Sequence, residues 1–213
     1  MTKIRDNTII IETLRPYGVV ASPELCDSIR TYIELLLRWN DKIALTTIVD
    51  PLEILRFHFG ESMFAANAVP IRHGRLADVG TGAGFPAIPL CMVSPDIECL
   101  LIESNQKKAT FLAEALRILE LDRVQIFRDR MENYPNSPSN FDFTVCRALG
   151  MFVEFLNWSS TQLSAGGRVV FWTSDQDAAK IATDTRWKWQ EPIRIPLSDH
   201  RALLIGSPII ANP

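Results

Sequence analysis

Leu76-Ala77-Asp78-Val79-Gly80-Thr81-Gly82-Ala83-Gly84-Phe85-Pro86-Ala87-Ile88 is the stretch on which the fold turns. A short apolar run ends in an aspartate, glycines alternate, and a helix-like run follows. Glycine lets the backbone turn sharply and approach a ligand with no Cβ in the way, while the helix behind the turn offers unpaired N–H groups. This context marks the first β-α crossover of an open α/β sheet, with a cofactor loop at its tip. The plain alternative is a glycine-rich turn that holds no ligand.

Beyond residue 75, short apolar runs alternate with helical stretches, as in β-α units that build a parallel sheet. Strands are expected near 75–79, 98–102, 123–127, 142–146 and 167–172, with helices over 85–93, 105–119 and 151–163. Two later strand-like runs, 187–196 and 201–207, suit an antiparallel hairpin at a sheet edge. Residues 133–140, rich in Asn, Pro and Ser, read as a surface loop. Upstream, Ser22-Pro23 reads as an N-cap with proline in the first turn, and Leu25, Ile29, Tyr32, Ile33, Leu36 and Leu37 then recur at helical spacing to about Asn40. Asp50-Pro51-Leu52-Glu53 repeats the signal and opens a second helix. Two helices are thus expected before the first strand. The expected fold is α/β and Rossmann-like: a mostly parallel sheet with helices on both faces, in one domain with an N-terminal helical extension (1–70) and a core (71–213).

With 213 residues, 47% of them hydrophobic, the chain can bury one sizeable core. Lys plus Arg number 22 against 25 Asp plus Glu, so bulk charge gives no broad attraction to nucleic acid and any RNA contact needs a local patch. Charges at Lys3, Arg5, Asp6, Glu12 and Arg15 interrupt the first twenty residues, which excludes a secretory h-region there, and no run has membrane-spanning length. Cys26, Cys91, Cys99 and Cys146 form no C-x-x-C pair and the chain has three His, so no metal site is expected. The expected setting is a cytoplasm with reduced thiols.

Glu103 closes the second apolar run, where a carboxylate can accept hydrogen bonds from both ribose hydroxyls of an adenosine moiety. It could equally be a helix N-terminal charge ahead of Asn105, and both roles can coexist. Gly-x-Gly-x-Gly departs from the dinucleotide fingerprint because Phe85 stands where a small residue belongs, which disfavours a dehydrogenase. A cofactor without a pyrophosphate, such as S-adenosylmethionine, needs only the glycine turn, the ribose carboxylate and apolar walls. Asp129-Arg130-Met131-Glu132 is the candidate adenine wall, or else an ordinary surface turn. Arg147 after the fourth strand could hold a cofactor carboxylate or an RNA phosphate, or make a structural ion pair. Cys146 raises pyrimidine C5 chemistry through a thiolate, but a cysteine ending an apolar strand is more often a small buried hydrophobe. No Asn/Asp-Pro-Pro-Tyr/Phe motif for exocyclic amino groups follows the fourth strand.

Arg38-Trp39-Asn40, Leu45-Thr46-Thr47, His58, Glu61-Ser62, residues 78–89, Arg130-Met131-Glu132 and Arg147-Ala148 together resemble the small-subunit ribosomal RNA methyltransferase G family, also called glucose-inhibited division protein B. The likeness runs over about residues 30 to 172. It implies a class I S-adenosylmethionine-dependent fold and methylation of a guanine at N7 in 16S ribosomal RNA, with that RNA or the small ribosomal subunit as partner. Taken together, the motif reading and the resemblance name Asp78, Gly80, Thr81, Gly82, Gly84, Phe85, Glu103, Ser104, Met131, Glu132 and Arg147 toward the cofactor, and His58, Arg130 and Arg147 toward RNA. No catalytic base is expected, because guanine N7 carries a free lone pair and transfer to it needs alignment alone.

The departures from the family also count. Its helix before the sheet usually reads Arg-His-x-x-Asp-Ser, whereas this chain has Phe57-His58-Phe59-Gly60-Glu61-Ser62 with Arg56 one position early, about 100° of helical rotation. Thr173 replaces a common lysine, Ala44 an asparagine, Ala83 a proline and Ala87 a glycine. Arg56, Arg72, His73 and Arg75 could form a basic rim beside the N-terminal helices. Two other readings stay open: the same fold acting on a small molecule or protein, and a cofactor-binding protein without turnover.

Overall fold

A computed structural model describes residues 4–135, 141–147 and 150–209, so the 136–140 part of the expected loop and Ala148 lie outside the described residues. Strands β1 (His73–Val79), β2 (Asp96–Ile102), β3 (Val124–Phe127), β4 (Phe141–Arg147) and β5 (Leu163–Ser174) form a parallel sheet in the order β3-β2-β1-β4-β5. The chain therefore reverses its winding direction between β1 and β4, the switch point at which ligands bind in open α/β sheets.

The two late runs pair antiparallel at the edge of the sheet, as expected, but the first of them is split. The 187–196 run divides into β6 (Trp187–Trp189) and β7 (Ile193–Arg194), and the last strand, β8 (Arg201–Pro208), runs between β5 on one side and β6 and β7 on the other, antiparallel to all three. Pro192, which has no N–H to give a ladder, lies in the break. Interior placement of β8 explains its apolar Ala202-Leu203-Leu204-Ile205 run and also Gly206, where a Cβ would stand 2.5 Å from the Trp189 ring.

Among the described residues three helical stretches, rather than two, precede the sheet. The additional one is α1 (Asn7–Leu14), capped by Asp6, whose carboxylate accepts from Thr8 N–H at 2.9 Å. Its Ile9-Ile10-Ile11 run is β-branched and a weak helix former; burial of Ile10 and Leu14 in the core holds it. Helix α2 (Pro23–Asn40) starts where expected, with Ser22 Oγ accepting from Leu25 N–H at 3.2 Å. Asp50 caps α3 (Pro51–Glu53), which passes through a π-helical stretch (Ile54–Gly60) into α4 (Glu61–Ala68). Glu61 N–H bonds back to Arg56 C=O, five residues earlier, so the rotation expected for Arg56 on an α-helix does not carry over.

Helices α5 (Ala87–Val93), α6 (Gln106–Ile118) and α7 (Phe152–Gln162) match expectation within two residues, and α8 (Asp175–Ile181) is additional. Alternate residues of each strand feed opposite faces. Leu76, Val145, Val170 and Leu203 join the cluster that contains α2, the α3–α4 region and α6, while Ala77, Cys146, Phe171 and Leu204 join the one that contains α7 and α8. Period-2 alternation thus gives the sheet helices on both faces.

Candidate cofactor and acceptor site

The loop after β1 is tied from below. Gly80 N–H donates to Ile102 C=O at 2.9 Å, Gly84 N–H to Thr81 C=O at 2.9 Å, and the Tyr32 hydroxyl bonds the Ala83 carbonyl. Gly80, Gly82 and Gly84 all have φ between +60° and +79°, the left-handed region that costs a residue with a Cβ. At Gly84 a Cβ would also stand 2.5 Å from Ile88 and 2.6 Å from the Tyr32 oxygen, whereas at Gly82 its nearest neighbour would be Gly80 O at 3.8 Å. Gly82 therefore faces open space and Gly84 is sealed against the helices. Beneath the loop, Asp78 is fully buried: Oδ2 accepts from Thr81 Oγ1 (2.7 Å) and Ala87 N–H (3.3 Å), while Oδ1 has no partner among the described residues. Burial lifts the Asp78 carboxyl to about 7 against the pull of those two hydrogen bonds. Ala87 gives its backbone N–H, so the loss of a glycine there costs nothing to this network.

Glu103 lies between the glycine loop and the start of α6. Its Oε2 accepts from Gly82 N–H at 3.0 Å and its Oε1 from Asn105 N–H at 2.7 Å, so the carboxylate is fixed at both oxygens. Each oxygen keeps a further lone pair for a ligand hydroxyl. Both expected roles, ribose acceptor and helix-start charge, are compatible with this one position. Glu103 borders a cleft of about 210 Å³ lined by Val79, Gly80, Ile102, Ser104, Asp129, Arg130, Met131, Glu132 and Met151. Its wall carries Glu103, Asp129 and Glu132 against Arg130 alone, an acidic balance suited to a cationic ligand.

A second cleft, of about 300 Å³, lies past the ends of β4 and β5, lined by Arg147, Thr173, Ser174 and Arg201 among others. Met151 borders the first cleft and Phe152 the second, so the two are neighbours on one edge of the sheet. At the base of the second, the 2%-exposed Glu61 takes Arg147 Nη2 on Oε2 (3.0 Å) and Arg201 Nη1 on Oε1 (2.7 Å), and its backbone carbonyl takes Trp172 Nε1 (2.7 Å). Burial raises the Glu61 carboxyl and the two guanidinium groups pull it back. Burial likewise draws Arg147 below the usual arginine value, opposed by Glu61.

His58 stacks on Phe85, centroids 4.5 Å apart, and shares a 2.8 Å hydrogen bond with Thr46 Oγ1. Burial, reinforced by Arg147 and Arg201, lowers it to about 3, which makes it neutral and a poor base at neutral pH. The residues before it explain the Asn40 and Leu45-Thr46 signals: Asn40 Oδ1 accepts from Leu45 and Thr46 N–H, both at 2.9 Å, folding the turn that presents Thr46 to His58. Arg38 and Trp39 both bond Glu114 of α6.

Of the residues singled out in the sequence, Gly80, Glu103, Ser104, Met131, Glu132 and Arg130 line the first cleft together. Asp78, Thr81, Gly82, Gly84, Phe85 and Arg147 are not among its lining residues. Asp78, Thr81 and Gly84 hold the loop, and Phe85 packs with Tyr32 and Phe59 as well as His58. Arg130, expected toward RNA, borders the first cleft, and Arg147, expected toward both cofactor and RNA, borders the second. His73 and Arg75 lie at the far end of β1 from Gly80, about 23 and about 17 Å of strand away. Sequence reasoning missed Arg201: its strand was expected, but its contact with Glu61, 140 residues away along the chain, has no local signal.

The model of the GidB family, described as rRNA small subunit methyltransferase G, matches residues 25–193. A ribosomal RNA small subunit methyltransferase G from Xanthomonas euvesicatoria is 35% identical over 178 residues, 82% of each chain, and one from Chloroflexus aggregans is 28% identical over 96% of this chain and 91% of its own. Among solved structures, an S-adenosylmethionine-dependent methyltransferase from Aquifex aeolicus shares the fold at TM-score 0.60, with 15% identity over 72% of this chain and 92% of its own. The fold is thus that of class I S-adenosylmethionine-dependent methyltransferases, and the chain belongs to the rRNA small subunit methyltransferase G family.

Proposed function

We propose that this chain transfers a methyl group from S-adenosylmethionine to N7 of a guanine in 16S ribosomal RNA, in the cytoplasm. The observation that carries the reading is the pair of adjoining clefts across the β1/β4 switch point, one shaped for an adenosine and the other lined by two arginines, two carboxylates and two aromatic rings. The cofactor fits the first: Gly82 leaves open space, the Asp78–Thr81 network and Tyr32 brace the loop, Glu103 takes the ribose hydroxyls, and Met131 walls the adenine. When bound, the cofactor supplies a methyl group activated on a cationic sulfur. The protein then has to hold guanine N7 in line with that methyl group and exclude water; it need not remove a proton. The side chains agree with that task. His58 is a weak base, Cys146 is buried with its thiol pushed well above its ordinary range, and Asp78 is sealed under the loop.

Incubation of small ribosomal subunits and of naked rRNA with methyl-labelled cofactor, followed by chemical cleavage at N7-methylguanine, tests the reading. A single cleaved position is expected. If neither substrate is cleaved while S-adenosylhomocysteine binds normally, the ribosomal reading gives way to another acceptor.

A further inference from the structure

We propose that the second cleft seats the acceptor guanine, with Glu61 and Arg147 reading its Watson–Crick edge and Arg201 of β8 positioning Glu61. This deepens, and rests on, the guanine-N7 reading above.

Guanine has its acceptors N7 and O6 on one edge. Next to O6, its Watson–Crick edge presents N1–H and an N2 amino hydrogen, two parallel donors. When N7 faces the methyl donor in the first cleft, those donors point away from it, toward the neighbouring cleft. The base of that cleft is Glu61, whose two oxygens each take one guanidinium and each keep a lone pair: two acceptor positions side by side. Beside them, Arg147 Nη1 is buried with no partner among the described residues, and O6 is the acceptor such a donor lacks. Phe152 and Trp172 give the cleft aromatic surface, the second requirement for holding a base taken out of its stack. The cleft, about 300 Å³, is at the lower end of the size of small-ligand pockets.

A carboxylate at the centre of the floor would repel a phosphate, so the two arginines alone do not make this an anion site. Arg201 is held in a different way from Arg147: its guanidinium lies 5.2 Å from the Phe57 ring centroid, and β8 sets it opposite Ser174 of β5.

The experiment compares small subunits reconstituted with rRNA carrying either guanine or inosine at the mapped acceptor position. Inosine keeps N7, O6 and N1–H but lacks the N2 amino group. Wild-type protein should prefer guanine by about 10-fold or more in kcat/KM, the discrimination expected of a bidentate contact. Glu61→Gln should slow transfer to guanine and bring the guanine-to-inosine ratio close to 1, with S-adenosylhomocysteine affinity unchanged. Arg201→Leu, a change at a half-exposed side chain, should raise the KM for RNA and lower the ratio, and Arg201→Lys should restore part of it. An unaltered ratio in folded Glu61→Gln, equal use of guanine and inosine by the wild type, or unchanged kinetics in Arg201→Leu overturns the assignment while leaving N7 methylation standing. Absence of N7 methylation by the wild type on the guanine subunits overturns both.

Discussion

Replacing Glu103 with alanine separates its proposed ribose contact from its structural bonds. The carboxylate accepts from Gly82 N–H at 3.0 Å and Asn105 N–H at 2.7 Å, and Glu103 borders the first cleft. Losing charge-assisted bonds to ribose hydroxyls should cost about 1–3 kcal/mol of cofactor binding, a rise in Kd of about 5- to 150-fold. The two backbone donors left behind cost the fold about 1 kcal/mol, a fall of about 2–4 °C in Tm for a chain of this size. Glu103→Gln should lie between, because its one oxygen can serve either backbone donor while its amide nitrogen faces the other. Calorimetry with S-adenosylhomocysteine gives the first quantity and thermal unfolding without ligand gives the second. A folded Glu103→Ala protein that binds S-adenosylhomocysteine within twofold of wild type would refute the ribose assignment, whatever its Tm.

The pH dependence of stability should carry two opposing contributions. Asp78, raised to about 7, binds its proton more tightly in the folded state and so costs stability as pH rises from about 4 to 7; His58, lowered to about 3, resists protonation and costs stability as pH falls below about 6.5. Asp78→Asn should therefore expose a loss of stability on the acid side, and His58→Asn the reverse slope, both read from urea midpoints at pH 5 and 7.5; parallel profiles for the two variants would contradict the burial argument. Cys146→Ser should keep most of the methyl transfer, because the buried thiol is held protonated. Trapping of a covalent adduct between RNA and Cys146 would instead favour pyrimidine chemistry.

Much of the fold and of the cofactor site is legible in the order of the residues. The Gly80–Gly84 turn, the parallel strands and the caps at Ser22 and Asp50 depend on a few neighbouring residues, and local chemistry specifies them. Glu103 is legible for the same reason: it ends a strand next to the glycine loop, and any α/β sheet of this winding brings the ends of its first two strands side by side. Elements with contrary local propensity are not. The β-branched Ile9-Ile10-Ile11 run becomes helix because Ile10 and Leu14 reach a core made elsewhere in the chain, and the widened turn at Ile54–Gly60 depends on tertiary fit.

The amino-acid sequence by itself determined the class of fold, the cofactor loop and the family, since these follow from periodicity, glycine placement and residue types within a few positions of one another. Tertiary structure alone decided that Phe85 turns into the helical layer, that Arg130 and Arg147 border different clefts, and that Arg201 meets Glu61. The physical reason is distance along the chain. Glu61, Arg147 and Arg201 are brought together by the π-helical entry to α4, the end of β4 and the insertion of β8 beside β5, and no local pattern encodes the meeting of three such remote segments.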